Sequence, residues 1–266
     1  MARIPTLAAA LLVSCCQAWN TFSPYQRQQA QLSHDEIHIR PAVEADLDDF
    51  TTVFIDAFSP GPVWRYVSPH HEQYKEYTWN CTREVVGQQF KHKPNNTFAN
   101  VISVPDQHST SDVQSKRKER VVAIANWKII EPTAEDPTHG DIDLLDIGLG
   151  STSCSDNIDM NMTRALDYNR QFRAADEHYV YEFPRKQMHL SLLATHPDWD
   201  GHGFGAAHCR WGMEMAKRMD VPVTLIATPA GWPLYDQLGF ESIANISIKT
   251  LDEPEDLWYE YMRYDT

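Results

Sequence analysis

The sequence is poor in cysteine and in basic residues. The first shortage argues against a metal site, and the second argues against a nucleic-acid partner. Its five cysteines form no Cys-x-x-Cys pair, and its histidines show no spacing that would bring three ligands together. No metal site is therefore predicted. Lys and Arg total 23 against 37 Asp and Glu, a formal net charge of -14. This balance disfavours a nucleic-acid partner, whereas an acidic field attracts small cations.

Long apolar runs are missing after Trp19, so no later segment is expected to span a membrane. The N-terminus differs from the rest of the chain. A basic start at Arg3 precedes an apolar stretch over residues 4–16, and Cys16 and Ala18 are suitable small residues for cleavage before Trp19. This arrangement predicts a signal peptide over residues 1–18. The alternatives are an N-terminal extension of a cytosolic enzyme or a mis-assigned start.

Four Asn-x-Ser/Thr triplets, an excess over chance, agree with export and predict a glycoprotein. The expected location is the secretory pathway, either the endoplasmic reticulum lumen or outside the cell, and the cytoplasm is the alternative. Cleavage would leave three cysteines, an odd number at wide spacing that allows one disulfide bond. The triplets begin at Asn80, Asn95, Asn161 and Asn245, and the remaining cysteines are Cys81, Cys154 and Cys209.

Alternating strand and helix patterns predict a single α/β domain over residues 36–265. A polar, Gln-rich linker at 19–35 precedes it, and an extended insertion is expected near 131–178. The last third is the most regular, with a strand over 188–195 followed by a helix over 204–219. Period-two alternation places four residues of that strand on one face: Met188, Leu190, Leu192 and Ala194.

A glycine-rich loop, Asp-Gly-His-Gly-Phe-Gly-Ala at 200–206, joins that strand to that helix. Glycines let the backbone approach a ligand closely, and the free amides at the start of a helix attract an anion. The pattern fits a dinucleotide loop, but the next strand ends in Leu225 to Thr228 without the acid that would bind a ribose. A nucleoside triphosphate loop would require Gly-Lys-Ser/Thr, which is absent. A coenzyme A diphosphate is the third ligand that suits this loop.

Two motifs together resemble the GNAT superfamily of N-acetyltransferases. The loop follows that family's Gln/Arg-x-x-Gly-x-Gly/Ala pattern, with Asp200 where Gln or Arg is usual. A strand and a short helix then end in Tyr-x-x-x-Gly-Phe, here Tyr235 to Phe240, although the family's frequent Asn after that strand is absent. The segment 63–66, Val-Trp-Arg-Tyr, looks like fungal members. The resemblance implies a GNAT fold, with a mixed sheet of six or seven strands flanked by helices.

The resemblance also implies an acetyl-CoA-dependent N-acetyltransferase and assigns roles to individual residues. Tyr235 matches the general acid that protonates the departing thiolate, and His189 resembles a histidine that removes the amine proton in the arylalkylamine branch. Glu131, after the preceding strand, is a second candidate for the base. The expected acceptor is a small-molecule or peptide amine. A non-catalytic acyl-CoA-binding module or secreted effector is the alternative.

The remaining site predictions concern ligand contacts. The expected acetyl-CoA contacts lie on the strand and the loop: Leu193, Thr195, Gly201, His202, Gly203, Phe204, Gly205 and Ala206. The expected acceptor contacts form an aromatic group: Phe58, Trp64 and Tyr66.

Overall fold

The computed structural model describes residues 37–92, 95–105, 119–132, 154 and 156–266. The chain divides into two compact units, residues 1–37 and 38–266, and nearly all described residues belong to the second. The signal peptide predicted at 1–18, the linker predicted at 19–35 and most of the predicted insertion up to residue 155 lie outside the described residues.

A seven-stranded mixed sheet forms the centre of the second unit, as the sequence predicted. Its strand order is β1-β2-β3-β4-β5-β7-β6, and every neighbouring pair is antiparallel except the parallel pair β4 and β5. The strands are β1 Ile39–Pro41, β2 Thr97–Pro105, β3 Glu119–Ile130, β4 Gln187–Thr195, β5 Val223–Ala227, β6 Glu241–Ile248 and β7 Leu257–Tyr264.

Six α-helices are found in the described part of the chain. Two of them correspond to the helices predicted in the last third of the chain, and the helix Phe204–Met219 has the predicted bounds. Helix α2, Pro62–Val67, begins within the Ser-Pro-Gly-Pro run at residues 59–62, a pattern that by itself indicates only the end of a helix. Pro62 occupies the first turn of α2, where the missing amide proton of proline costs nothing. The helices are α1 Leu47–Phe58, α2 Pro62–Val67, α3 Lys75–His92, α4 Met162–Asp176, α5 Phe204–Met219 and α6 Trp232–Gln237.

The helices cover both faces of the sheet. Helix α1 packs on β3 and β4 from one side, and α5 packs on the same two strands with a separate apolar cluster. The indole of Trp127 is fully buried and lies directly against Gly212 of α5, where an added Cβ atom would be 2.1 Å from the ring. Helix α5 can approach β3 this closely only because residue 212 has no side chain.

A β-bulge in β4 changes which residues share a face. Asn126 pairs with Leu192 and Trp127 pairs with Leu190, so Ser191 has no partner in the β3–β4 register. The predicted single face over 188–194 is therefore wrong, because an extra residue reverses the alternation. Before the bulge, Met188 and Leu190 pack in the apolar cluster that lies against α5. After the bulge, Leu192 and Ala194 pack in the cluster that lies against α1.

A disulfide bond joins Cys81 of α3 to Cys154, with the two Cα atoms 5.8 Å apart. Cys209 is a free, buried cysteine. The sequence predicted that the three cysteines of the cleaved chain allow one disulfide bond but did not indicate which pair forms it. The pair is Cys81 and Cys154. The bond closes a sequence separation of 73 residues.

Candidate active site

The parallel strands β4 and β5 separate before they end, and this opens a cleft in the sheet. Their register covers only three residue pairs, from Met188 with Val223 to Leu190 with Leu225. Beyond Leu190, β4 continues to Thr195 and, among the described residues, pairs only with β3. The cleft belongs to a cavity of about 1440 Å³, which is lined by Ser191, Leu193, Thr195 and Gly205 among others.

Helix α5 begins beside the cleft with unused backbone amides. Gly203 precedes the helix in the left-handed conformation, at φ 81°, which glycine adopts without strain. Among the described residues, the amides of Phe204, Gly205 and Ala206 have no hydrogen-bond acceptor. Because these three amides lie at the positive end of the helix dipole, they form a site for an anionic group.

Gly205 leaves the backbone of α5 without a side chain at the point where the helix faces β4. A Cβ atom there would lie 3.2 Å from Leu234 Cδ2 and 3.9 Å from Leu193 Cδ2, within the wall of the cavity. Glycine at this position therefore leaves space for a ligand beside the strand. The residues present suit a coenzyme A diphosphate, which the amides at the start of α5 would hold.

Of the predicted acetyl-CoA contacts, Leu193, Thr195 and Gly205 line the cavity. The other five predicted contacts lie at the edge of the cavity, in the turn before α5 and in the first residues of that helix. Phe204 is buried, and the His202 ring stacks on it, while His202 Nδ1 lies 3.0 Å from the carbonyl oxygen of Trp199. Asp200, the departure from the family pattern, lines the cavity, and burial raises the pKa of its carboxyl group. The set at the edge consists of Gly201, His202, Gly203, Phe204 and Ala206.

Tyr235 of α6 lies at the wall of the cavity, close to the start of α5. Its side chain is buried, and burial raises its pKa well above the ordinary value of 10. The phenol therefore keeps its proton throughout the neutral range. A protonated phenol can donate to a sulfur atom that gains negative charge.

His189 also lines the cavity, from the centre of β4. Its Nδ1 atom lies 3.0 Å from Oγ1 of Thr224 on the neighbouring strand. Burial, assisted by the positive charge of Lys128, lowers its pKa to about 3. The imidazole is therefore neutral at physiological pH and has one nitrogen lone pair free to accept a proton.

Glu131, the second candidate for the base, is not brought to the cleft. It follows the end of β3, is exposed, and its Oε1 atom lies 2.6 Å from Nζ of Lys186. The sequence placed it correctly after a strand, but the strand ends beyond the cavity wall. Its carboxylate is therefore too remote to remove a proton in the cleft.

The predicted aromatic acceptor contacts Phe58, Trp64 and Tyr66 all line the cavity. The structure adds aromatic residues that the sequence did not single out, from α4, the π-helical turn Glu177–Tyr181 and β7. No motif links these residues to the glycine loop, because only the tertiary fold brings them together. They are Tyr168, Phe172, Tyr181 and Tyr259.

No family model matches the chain. Other comparisons with known proteins support the resemblance to acetyltransferases that the sequence indicated. The chain is 22% identical over 214 residues to a protein of the fungus Stachybotrys chartarum named "Acetyltransferase"; the match covers 79% of this chain and 83% of that protein. A structure from Corynebacterium glutamicum, described as histone acetyltransferase HPA2 and related acetyltransferase, matches with TM-score 0.50 and 17% identity, covering 85% of this chain and 94% of that one.

A second solved structure, an agmatine N-acetyltransferase, matches with TM-score 0.52 and 11% identity, covering 86% of this chain and 99% of that one. The fold and the cleft thus define a protein of the GNAT acetyltransferase fold, and the predicted resemblance to that superfamily is confirmed. The acetyltransferase class predicted from the sequence is supported by the named fungal relative.

Two kinds of feature are absent from the described residues. No group of three or more His, Cys, Asp or Glu side chains there could hold a metal ion. Among the same residues, no helix has the length and apolar character needed to cross a bilayer.

Proposed function

We propose that the protein transfers an acetyl group from acetyl-CoA to a primary amine of a small molecule or peptide. What carries the proposal is the trio of unused amides at Phe204, Gly205 and Ala206, beside the point where β4 and β5 separate. This combination offers a diphosphate an anchor and offers a thioester arm an open strand edge. The agmatine N-acetyltransferase of similar fold acts on an amine, which agrees with the acceptor class.

In the proposed reaction the amine nitrogen attacks the thioester carbonyl carbon, so a C–N bond forms and the C–S bond breaks. His189 accepts the proton that the amine loses, and Tyr235 donates its proton to the departing thiolate. A backbone amide of β4 next to the cleft, for which we choose that of Leu193, stabilises the charge that develops on the carbonyl oxygen. The aromatic wall of Phe58, Trp64 and Tyr66 receives the body of the acceptor.

The charges around the cavity favour a cationic acceptor. Besides Asp200 of the loop, five carboxylates line it, alongside the cations Arg65 and Lys128. In a chain with a net charge of -14, they attract an ammonium group to the entrance. The carboxylates are Asp159, Asp176, Glu253, Glu255 and Asp256.

We also propose that the protein works in the secretory pathway, with acetyl-CoA supplied in the lumen of the endoplasmic reticulum. The disulfide bond between Cys81 and Cys154 supports this location, because such bonds persist in oxidising compartments. Asn80, Asn95 and Asn245 are exposed and can carry glycans. Mass spectrometry of the protein isolated from the cells that make it and from their medium tests the location: a chain that starts at Trp19 and carries glycans is expected. An intact Met1 without glycans would contradict it.

The activity test measures free thiol released from acetyl-CoA in the presence of a panel of primary amines. Tyr235→Phe should lower the turnover number by about 100-fold, the usual contribution of a general acid, while acetyl-CoA binding stays unchanged. Tyr261→Phe is the matched control, since Tyr261 is a buried tyrosine of β7 that does not line the cavity. Cofactor binding without turnover on any amine would favour the non-catalytic binding module instead.

A further inference from the structure

A chain of three hydrogen bonds connects the π-helical turn after α4 to His189. Gln187 Nε2 donates to the carbonyl oxygen of Val180 at 2.6 Å, and the Thr224 hydroxyl donates to Gln187 Oε1. His189 Nδ1 lies 3.0 Å from that same hydroxyl oxygen. Val180, Gln187 and Thr224 are fully buried, so water does not compete for these bonds.

The chemistry of each group fixes the direction of this chain. A carbonyl oxygen can only accept, so Gln187 must present its amide nitrogen to Val180 and its amide oxygen to Thr224. That oxygen also only accepts, so the single proton of the Thr224 hydroxyl is committed to it. The hydroxyl oxygen can then only accept from His189, which requires the imidazole proton to be on Nδ1.

We infer that Thr224, supported by Gln187, is a positioning residue that holds His189 in the tautomer whose Nε2 lone pair is available to the cleft. This inference rests on the proposed role of His189 as the base. Nε2 has no hydrogen-bond partner among the described residues, and His189 lines the cavity. In the opposite tautomer Nε2 would carry a proton and could not accept one from the amine.

The surroundings of His189 make the tautomer, rather than the charge, the property that needs control. Lys128 pairs with His189 across β3 and β4, and its ammonium group lies 3.3 Å from the Tyr181 hydroxyl. These are the charged or titratable groups facing the ring from β3 and from the π-helical turn; β5 contributes the uncharged Thr224. With a pKa near 3, the imidazole is uncharged across the assay range, so only the position of its proton can vary.

The tautomer can be read directly by nuclear magnetic resonance of the full secreted chain with ¹⁵N-labelled histidine rings. The His189 signals are assigned by their loss in His189→Gln. We expect a protonated nitrogen at Nδ1 and an unprotonated nitrogen at Nε2 in the unmodified protein. Thr224→Val, which removes the hydroxyl at nearly constant volume, should shift both signals towards the opposite tautomer, and Thr224→Ser should restore them.

Kinetics give the second readout. Thr224→Val should lower the turnover number by about 10- to 100-fold, the range found when a group that orients a functional histidine is removed, with little change in the KM for acetyl-CoA. Thr224→Ser should recover most of this loss. Thr51→Val is the matched control, because Thr51 is an equally buried threonine whose hydroxyl bonds only within α1, to the carbonyl oxygen of Leu47 at 2.8 Å. Its turnover number should stay near that of the unmodified protein.

The two readouts separate this inference from the proposed function. A protonated Nε2 in the unmodified protein overturns the inference, whatever the activity. An unchanged turnover number in folded Thr224→Val also overturns it when the unmodified protein is active. If the unmodified protein releases no thiol with any amine, the proposed function fails, while the nitrogen signals still decide the tautomer. If Thr224→Val does not fold, the unmodified protein and Thr224→Ser supply the decision.

Discussion

The imidazole of His196 connects the glycine loop to helix α1, with Nε2 of His196 lying 3.1 Å from Oδ2 of Asp56. Nδ1 of the same ring accepts from the amide of Asp198 at 3.2 Å. Because one nitrogen accepts, the other carries the proton and donates to the carboxylate. The ring therefore anchors the turn that leads from β4 into the loop, although neither residue belongs to a family motif.

Removing this anchor should loosen the loop without unfolding the protein. Asp56→Ala is expected to raise the KM for acetyl-CoA by about 3- to 10-fold, since losing this half-exposed hydrogen bond costs about 1 kcal/mol. Asp48→Ala is the control, because it removes another carboxylate of α1, which pairs with Arg83. An equal rise in KM for both variants would show that the effect is not specific to the His196 contact.

Gly203 should be intolerant of a side chain because it holds a left-handed conformation at the start of α5. Gly203→Ala is expected to cost about 1 to 2 kcal/mol of stability and to raise the KM for acetyl-CoA through displaced amides. Gly239→Ala introduces the same strain at φ 88°, after α6 and outside the cavity lining. It should lose similar stability in urea unfolding and keep the KM for acetyl-CoA near that of the unmodified protein.

The pH profile of kcat/KM should show neither an acidic limb from the base nor an alkaline limb from the general acid. The pKa of His189 is lowered to about 3 and that of Tyr235 is raised well above 10. The base is therefore deprotonated and the acid protonated between about pH 5 and pH 9. We expect kcat/KM in that window to follow only the ionisation of the amine. Two amines of different pKa provide the check; a common limb near pH 6.5 with both would contradict the lowered pKa of His189.

His208 should make the fold sensitive to acid. It is fully buried in α5, and burial lowers its pKa to about 4. The unfolded chain takes up this proton near pH 6.5, so stability is fully present above that pH and is lost as the pH falls towards 4. The loss is up to about 3 kcal/mol for this one group. Urea unfolding at several pH values should show a shallower acid loss in His208→Gln.

Gly212→Ala should be the most damaging of the glycine substitutions, because the new methyl group would meet the fully buried Trp127 ring. Overpacking of this kind costs about 1 to 3 kcal/mol or more, and we expect a lower midpoint of thermal unfolding. Gly87→Ala in α3 is the control. Its Cβ atom would lie 3.3 Å from the flexible Leu47 side chain, so the gain in helix propensity should offset the crowding. A stable Gly212→Ala would contradict this close packing.

The sequence predicted the parts of the site that depend on local order. The glycine loop, the helix after it and Tyr235 follow one another along the chain, so spacing alone could place them. The bulge at Ser191 could not be predicted, because it inserts a residue without disturbing the apolar pattern. The aromatic wall from α4 and β7 was missed for another reason: those residues meet the cleft only after distant segments pack together, and each one reads as ordinary core.

The contact between Trp127 and Gly212 also constrains how this sequence can change over time. The two positions are 85 residues apart in the chain, yet neither can be altered freely while the other keeps its present identity. A variant with alanine at 212 needs a smaller side chain at 127 to restore the fit. Related chains should therefore change at both positions together, or at neither, which makes the pair a marker for alignment where overall identity is low.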